Sequence, residues 1–257
     1  MPNVETLMNE RQRQIVRRVE SQGYATIEAL AQEFDVSSQT IRRDIIQLDK
    51  FRILQRFHGG AGLPGDTVRL AYRRKKSVSV EGKHRIGEAA AALVPDGATV
   101  FLDVGTTVEA VAQALNGRDD LHVFTNSLVA AMALAGGQAR NVVVTGGVLN
   151  GADGSLVGDE VTRTIERFKF DVAVIGCSGF DDDGTVMDFD LQKVAVKTAA
   201  LANARQSVLV AHGGKFTRTA FVRVAAPADF SHLVTDAPPP PALARALDAG
   251  GVQVIVA

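Results

Sequence analysis

Apolar residues recur at helical spacing through the first fifty positions and gather into short runs beyond residue 97, so the period itself divides the chain. Ile15 and Val19 lie four apart with Gly23 as a stop, which predicts a first helix. Thr26 can cap a second, with Ile27, Leu30, Ala31 and Phe34 on one face, and "DVS" is then too short for anything but a turn. A third helix begins at Ser37 or Ser38. On it Ile41, Ile45 and Leu48 fall at i, i+4 and i+7 and face inward, which turns Gln39, Arg42, Arg43 and Ile46 outward.

Two helices joined by a short turn, the second polar on its exposed face, predict a helix-turn-helix whose second helix can enter the major groove of DNA. Ser37, Ser38, Gln39 and Thr40 occupy its first turn, where short polar side chains meet base edges or phosphates. The guanidinium groups of Arg42 and Arg43 suit guanine edges and phosphate oxygens. A solvated helix face is the commoner origin of an arginine pair. Context reverses that judgement: "FRILQRFHGGAGLP" at 51–64 offers two β-compatible pieces around a basic residue and glycines, the pattern of a wing, and places Arg56 and His58 at the flanking backbone. Outward and apolar, Ile46 either meets a thymine methyl or packs against the wing.

Seven runs after residue 97, "ATVFLD", "LHVFT", "NVVVT", "DVAVIG", "SVLVA", "HLVTD" and "VQVIV", read as strands. Helical segments such as "VEAVAQALN" and "QKVAVKTAALANA" lie between them. The alternation predicts an α/β domain with a mostly parallel sheet covered on both faces. "PPPP" at 238–241 is a rigid lead into the helix "ALARALDAG".

Composition sharpens the division. The chain is 46% hydrophobic and 22% charged, normal for a folded soluble protein. The net charge of −1 hides an asymmetry: residues 1–76 hold 14 Lys and Arg against 9 Asp and Glu, the remainder 14 against 20. A basic first end fits a nucleic-acid partner. No run approaches twenty apolar residues and the N-terminus lacks a secretory core, so the expectation is a cytoplasmic protein without a membrane partner. The lone Cys177, with no base implied beside it, reads as a small buried residue, and no metal or cofactor set is indicated.

In parallel α/β sheets ligands bind at the carboxyl ends of the strands. There this chain carries "DVGTT" at 103–107, "TNS" at 125–127, "GG" at 146–147, "GCSG" at 176–179 and "HGGK" at 212–215. Any one of these is ordinary loop chemistry; five on one edge point to a site. Thr106 and Thr107 open a helix whose positive end favours a phosphate, Lys215 and Lys83 supply counter-charge, and Asp103 accepts from ligand hydroxyls.

These motifs, with "SSQTIRRD" at 37–44, "HGGA" at 58–61, the lysine of "VAVK" at 197 and the "GGKF" that includes Lys215, resemble the DeoR family of bacterial transcription regulators over nearly the whole length. The resemblance implies a winged helix-turn-helix at 1–62, a linker at 63–80, and an effector domain at 81–257 similar to sugar-phosphate isomerases. It also implies release from operator double-stranded DNA by a phosphorylated sugar or polyol, glycerol 3-phosphate among the candidates, and a homo-oligomer, dimer or tetramer. By position it implies Asp103, Gly105, Thr106, Thr107, Thr125, Asn126, Gly176, Ser178, Gly179, Lys197 and Lys215 as effector-site residues. Lys193 stands where the family commonly has glutamate, and His212-Gly213-Gly214-Lys215 where it has Asp-x-Ser-Lys. Both departures suggest added positive charge, and His212 a release that is sensitive near pH 6–7. The competing function, an isomerase-like enzyme with an accessory DNA module, needs a positioned acid and base. Loss of two acidic positions favours sensing without turnover.

Overall fold

The computed structural model describes residues 8–22, 24–57, 60–62, 72, 75–118, 120–135, 137, 141–151, 153–218 and 220–257, and the chain forms two compact units, Met1–Arg74 and Lys75–Ala257. The first contains α1 (Glu10–Gln22), β1 (Tyr24–Thr26), α2 (Ile27–Glu33), α3 (Ser38–Lys50), β2 (Gln55–Phe57) and β3 (Gly60–Gly62). Ile15, Val19, Leu30, Ile41, Ile45 and Leu48 are buried together, so the inward faces expected from spacing form one core. Thr26 caps α2 by accepting from the Ala29 amide at 3.0 Å, and Ser37 caps α3 by accepting from Thr40 at 3.2 Å, which fixes the start of α3 at Ser38. The strands pair antiparallel in the order β1-β3-β2. β2 and β3 are the wing; β1, three residues long, has no periodicity of its own and exists through its pairing with β3.

The second unit opens with α4 (Val80–Ala91), β4 (Thr99–Leu102), α5 (Thr106–Leu115), β5 (His122–Thr125), α6 (Leu128–Leu134) and β6 (Asn141–Val144). A hairpin of β7 (Val148–Asn150) and β8 (Ser155–Val157) follows, then α7 (Asp159–Glu166) and β9 (Phe170–Gly176). β10 (Gly179–Phe180), β11 (Val186–Asp188), α8 (Leu191–Ala202), β12 (Ala204–Val210), β13 (Val222–Ala225), β14 (His232–Thr235), α9 (Pro241–Ala249) and β15 (Gln253–Val256) complete the chain.

All seven expected runs are strands of one parallel sheet in the order β15-β14-β12-β9-β4-β5-β6. Period-two alternation splits its residues between two cores. Val100, Leu102, Val172 and Val174 pack with α4, α5 and α6, while Phe101, Ala173, Ile175 and Leu209 pack with α7, α8 and α9. The antiparallel sheet β10-β11-β13 and the β7–β8 hairpin lie outside this pattern, their strands being two to four residues long.

The strand order reverses between β4 and β9: the chain runs outward from β4 through β5 to β6, then returns to lay β9 on the other side of β4. Loops leaving two such strands diverge and open a crevice at their carboxyl ends. Asp103 follows β4 and Gly176 ends β9, so the fold brings these two together.

Candidate functional site

On the first unit, α3 presents Gln39, Arg42, Arg43, Ile46, Gln47 and Lys50 as exposed residues, with Ser37 exposed and Ser38 and Thr40 half-buried at its start. The opposite face carries Asp44, buried, which accepts from Arg11 Nε at 2.6 Å and Gln12 Nε2 at 3.0 Å and so fixes α1 against α3. That tie leaves the arginine face clear of the core. The Arg56 amide donates to Asp49 Oδ1 at 3.0 Å, setting the exposed Arg56 beside the end of α3. His58 lies outside the described residues. Gln47, Lys50 and Phe51 line a shallow groove with Arg43 and Ile46; spacing could have placed Gln47 and Lys50 on this face, since both lie one helical turn beyond Arg43 or Ile46.

On the second unit the crevice between β4 and β9 holds a buried ionic triad. Lys197, from α8, donates to Asp103 Oδ2 and to the Gly176 carbonyl at 2.9 Å, and lies 3.4 Å from Asp188 Oδ2. The Gly176 amide donates to the same Asp103 oxygen at 3.0 Å, and Ser178 Oγ donates to Asp188 Oδ1 at 2.9 Å. Burial alone would discharge Lys197, but the fields of Asp103 and Asp188 outweigh it and raise its pKa. Burial likewise opposes ionisation of Asp188, yet Lys197 and the Phe189 amide carry its pKa below the usual carboxylate range. Asp188, at the end of three-residue β11, carries no sequence signal.

Three adjacent strand ends each leave one polar atom buried: Asp103 Oδ1 after β4, Asn126 Oδ1 after β5 and Thr145 Oγ1 after β6 have no hydrogen-bond partner among the described residues. Such atoms are costly to leave unpaired. The hairpin is bonded to the second of these residues, Leu156 donating to the Asn126 carbonyl at 2.7 Å and accepting from Asn126 Nδ2 at 3.1 Å. Thr125 serves the backbone instead: its hydroxyl donates to Leu102 at 2.7 Å and accepts from the Ser127 amide at 3.0 Å.

Gly105, at φ 127°, is the N-cap of α5 and offers no side-chain cap, which leaves the amides of the first turn, at Thr106 and Thr107, facing outward from the helix end. Gly179 packs where a Cβ would lie 2.1 Å from the Arg218 carbonyl.

Cations crowd this edge. Burial pushes the Lys215 ammonium down to about 7, with Lys75 and Arg218 acting in the same direction. Lys75 is exposed as a residue, but crowding around its ammonium lowers its pKa, and it feels Asp188, Lys193, Asp153 and Arg218. Lys75 and Arg218 were not expected from the sequence, one standing at the unit boundary and the other in an irregular loop. Lys193, expected to add charge, is neutralised: its Nζ lies 2.5 Å from Asp153 Oδ2. His212 corrects the expectation of a switch near pH 6–7. Burial, reinforced by Lys215 and Lys83, lowers its pKa to about 4, and the neutral ring accepts from the Gly214 amide through Nδ1 at 3.2 Å. Lys83 is buried and donates to the carbonyls of Lys75 and, at 2.6 Å, Val78. Burial pushes the Cys177 thiol up to about 11, which leaves it protonated and inert at neutral pH.

Comparisons with known proteins place each unit in a family. The family model for the DeoR C terminal sensor domain matches residues 78–237, and that for the DeoR-like helix-turn-helix domain matches residues 11–67. The chain belongs to the DeoR family. It is 37% identical over 240 residues to the glycerol-3-phosphate regulon repressor of Escherichia coli (strain K12), covering 93% of this chain and 95% of that one. It is 39% identical over 225 residues to the repressor of the same name from Haemophilus influenzae (strain ATCC 51907 / DSM 11121 / KW20 / Rd), covering 88% of each. Among solved structures, ribose 5 phosphate isomerase A from Neisseria gonorrhoeae aligns over 53% of each chain at 16% identity with a TM-score of 0.38.

Proposed function

We propose that the protein is a DNA-binding repressor of a sugar or polyol operon, released from its operator by a phosphorylated sugar or polyol. The observation that carries this reading is the crevice between β4 and β9, where an uncapped helix start at Thr106 and Thr107 adjoins an edge rich in ammonium groups. Helix-terminus amides and lysines suit a phosphate dianion. The orphaned oxygens of Asp103, Asn126 and Thr145 suit ligand hydroxyls. Ser178 and Lys197 act one step back, holding Asp188 and Asp103 in place.

Operator binding falls to Ser37, Ser38, Gln39, Thr40, Arg42, Arg43 and Arg56, and similarity to repressors named for the glycerol-3-phosphate regulon supports it. Each chain carries one reading helix, and specific operators are commonly read as paired half-sites, so the working form is a homo-oligomer, acting in the cytoplasm. The protein is not an enzyme. Lys197 stays charged and is bound to the carboxyl groups of both Asp103 and Asp188, and although burial raises the pKa of Asp103, isomerisation needs a base free of such a partner to move a proton.

The test is a titration of operator-bound protein with matched phosphorylated and free compounds, glycerol 3-phosphate and glycerol included. Release by the esters alone supports the reading. Release by the free compounds at equal concentration, or conversion of an ester into product, would overturn it.

A further inference from the structure

The chain enters the sensor unit at Lys75, directly after the last residue of the DNA-reading unit. Residues 75–77 are helical, and α4 starts again at Val80. Between them Ser79 sits at φ 48° and ψ 51°, in the left-handed region that a residue with a Cβ avoids. One serine therefore interrupts what could run as a single helix.

Two groups hold the interruption. Ser79 Oγ donates to Asp236 Oδ2 at 2.6 Å, while the other oxygen of Asp236 accepts from the Gly213 amide at 2.6 Å, in the turn that carries Lys215. Gly82 completes the fit, since a Cβ there would lie 2.0 Å from Asp236. The second group is Lys83. Its ammonium donates to the carbonyls of Lys75 and Val78, and the first of these is the carbonyl that would take the Ser79 amide in an unbroken helix. Lys83 also lines a groove of about 650 Å³ together with Thr106 and Glu109 of the first turn of α5. The same ammonium thus serves the carbonyls of the entering segment while facing the first turn of α5, whose Glu109 carboxylate already draws on it and with which an effector phosphate would compete.

We propose that Lys83 is the positioning residue that couples effector binding to operator release. In the effector-free protein it clamps the break at Ser79 by capping the carbonyls of the entering segment, and an effector phosphate at the start of α5 draws it away. A dianion is a stronger acceptor for an ammonium than a peptide carbonyl. Once Lys83 leaves, the bond to Asp236 no longer suffices to hold the strain at Ser79, and 75–91 joins into one helix that redirects the chain on its way to the reading unit. The effector gains this leverage because it binds the unclamped form better than the clamped one. The coupling rests on the effector reading above, but its first test needs no effector.

Lys83→Met removes the clamp with little change in bulk. Hydrogen exchange of the ligand-free full chain is expected to show new protection at the Ser79 and Val80 amides, and operator affinity is expected to fall at least about fivefold, the lower end of usual allosteric coupling. Ser79→Ala and Ser79→Gly both lose the bond to Asp236, yet only glycine takes the left-handed conformation without strain. Ser79→Ala should therefore resemble Lys83→Met, and Ser79→Gly the parent. Parent-like exchange across 75–83 and parent-like operator affinity in Lys83→Met would overturn the proposal. Should that variant not fold by circular dichroism, the serine pair decides, and identical behaviour of alanine and glycine overturns it equally. A thermal-shift panel of inorganic phosphate and glycerol 3-phosphate on the parent protein tests the effector reading separately: absence of binding there sinks that reading and leaves the ligand-free arms to decide the clamp.

Discussion

The two units both present positive charge, in opposite surroundings. Arg42 and Arg43 stand in solvent on a helix face kept clear by the Arg11–Asp44 tie, whereas Lys197 and Lys215 are buried at the end of a sheet. A guanidinium remains charged across the whole working range and can meet a phosphate or a guanine edge with two bonds. An ammonium removed from water titrates readily, so its charge depends on what lies beside it. On the reading proposed above, arginine meets a constant ligand and lysine a variable one. Perturbing each cation should therefore give effects of different kind and size.

The largest effect is expected at Lys197. Lys197→Met leaves Asp103 and Asp188 buried without their shared cation, and removing one partner from a buried ionic set destabilises by about 3–5 kcal/mol. Denaturant unfolding of the full chain checks this, and a loss under 1 kcal/mol would mean that the triad is wetter than its geometry implies. The arginines should behave the other way. Arg42→Ala or Arg43→Ala is expected to weaken operator binding by about 1–3 kcal/mol where the contact is bidentate to a base, or to reduce the salt slope by about one where it is to phosphate. Neither should shift the unfolding of the sensor unit. A double variant with parent affinity at near-physiological salt would remove this face from the reading surface.

Why the sequence showed one region more completely than the other follows from the same contrast. α3 is legible because every part of its function lies within fifteen residues and its two faces differ by periodicity: Ile41, Ile45 and Leu48 in, Arg42 and Arg43 out. The seven long strands are legible for the same reason, and with them the loops at Asp103, Asn126 and Gly176. What remained hidden depends on contacts between distant positions. By position Lys193 adds charge, but Asp153, forty residues earlier, lies beside it and neutralises it. Thr145 follows a recognised strand, but its orphaned hydroxyl shows only when three strand ends are lined up. Asp188 lies in a short strand of the small antiparallel sheet, which has too few residues to leave a period.

Lys215 should give an intermediate effect whose sign distinguishes stability from binding. Its folded pKa of about 7 is below that of a free lysine, so the unfolded chain binds the extra proton between pH 7 and about 10. Stability contributed through this residue therefore rises with pH across that window, by at most about 1.4 kcal/mol per unit, and the penalty is complete below pH 7. Phosphate binding runs oppositely: the dianion favours the ammonium, binding takes up a proton, and effector affinity should fall by up to about tenfold between pH 7 and 8. Calorimetry in buffers of different ionisation enthalpy reads the proton directly. Lys215→Met should flatten both profiles, and a parent protein without proton uptake at pH 7.5 would place the phosphate away from this residue.

The smallest effect is expected at His212, although a histidine in a cation-rich site invites a larger one. With a pKa of about 4 and a ring nitrogen already accepting from Gly214, it is almost wholly neutral at pH 6, so effector release should show no histidine step between pH 6 and 7. Its trace appears in stability. The unfolded histidine titrates near 6.5 and the folded one near 4, so stability is full above the first value and declines as pH falls toward the second. From pH 7 to 6 that decline is less than about 1 kcal/mol, because only the upper edge of the window is crossed. His212→Gln keeps an acceptor in the turn and should remove this decline while leaving the release profile unchanged. A release curve that loses a step between pH 6 and 7 in that variant would show that the ring is charged in the working protein, and the repulsion now assigned to Lys215 and Lys83 would have to be relieved by the effector itself.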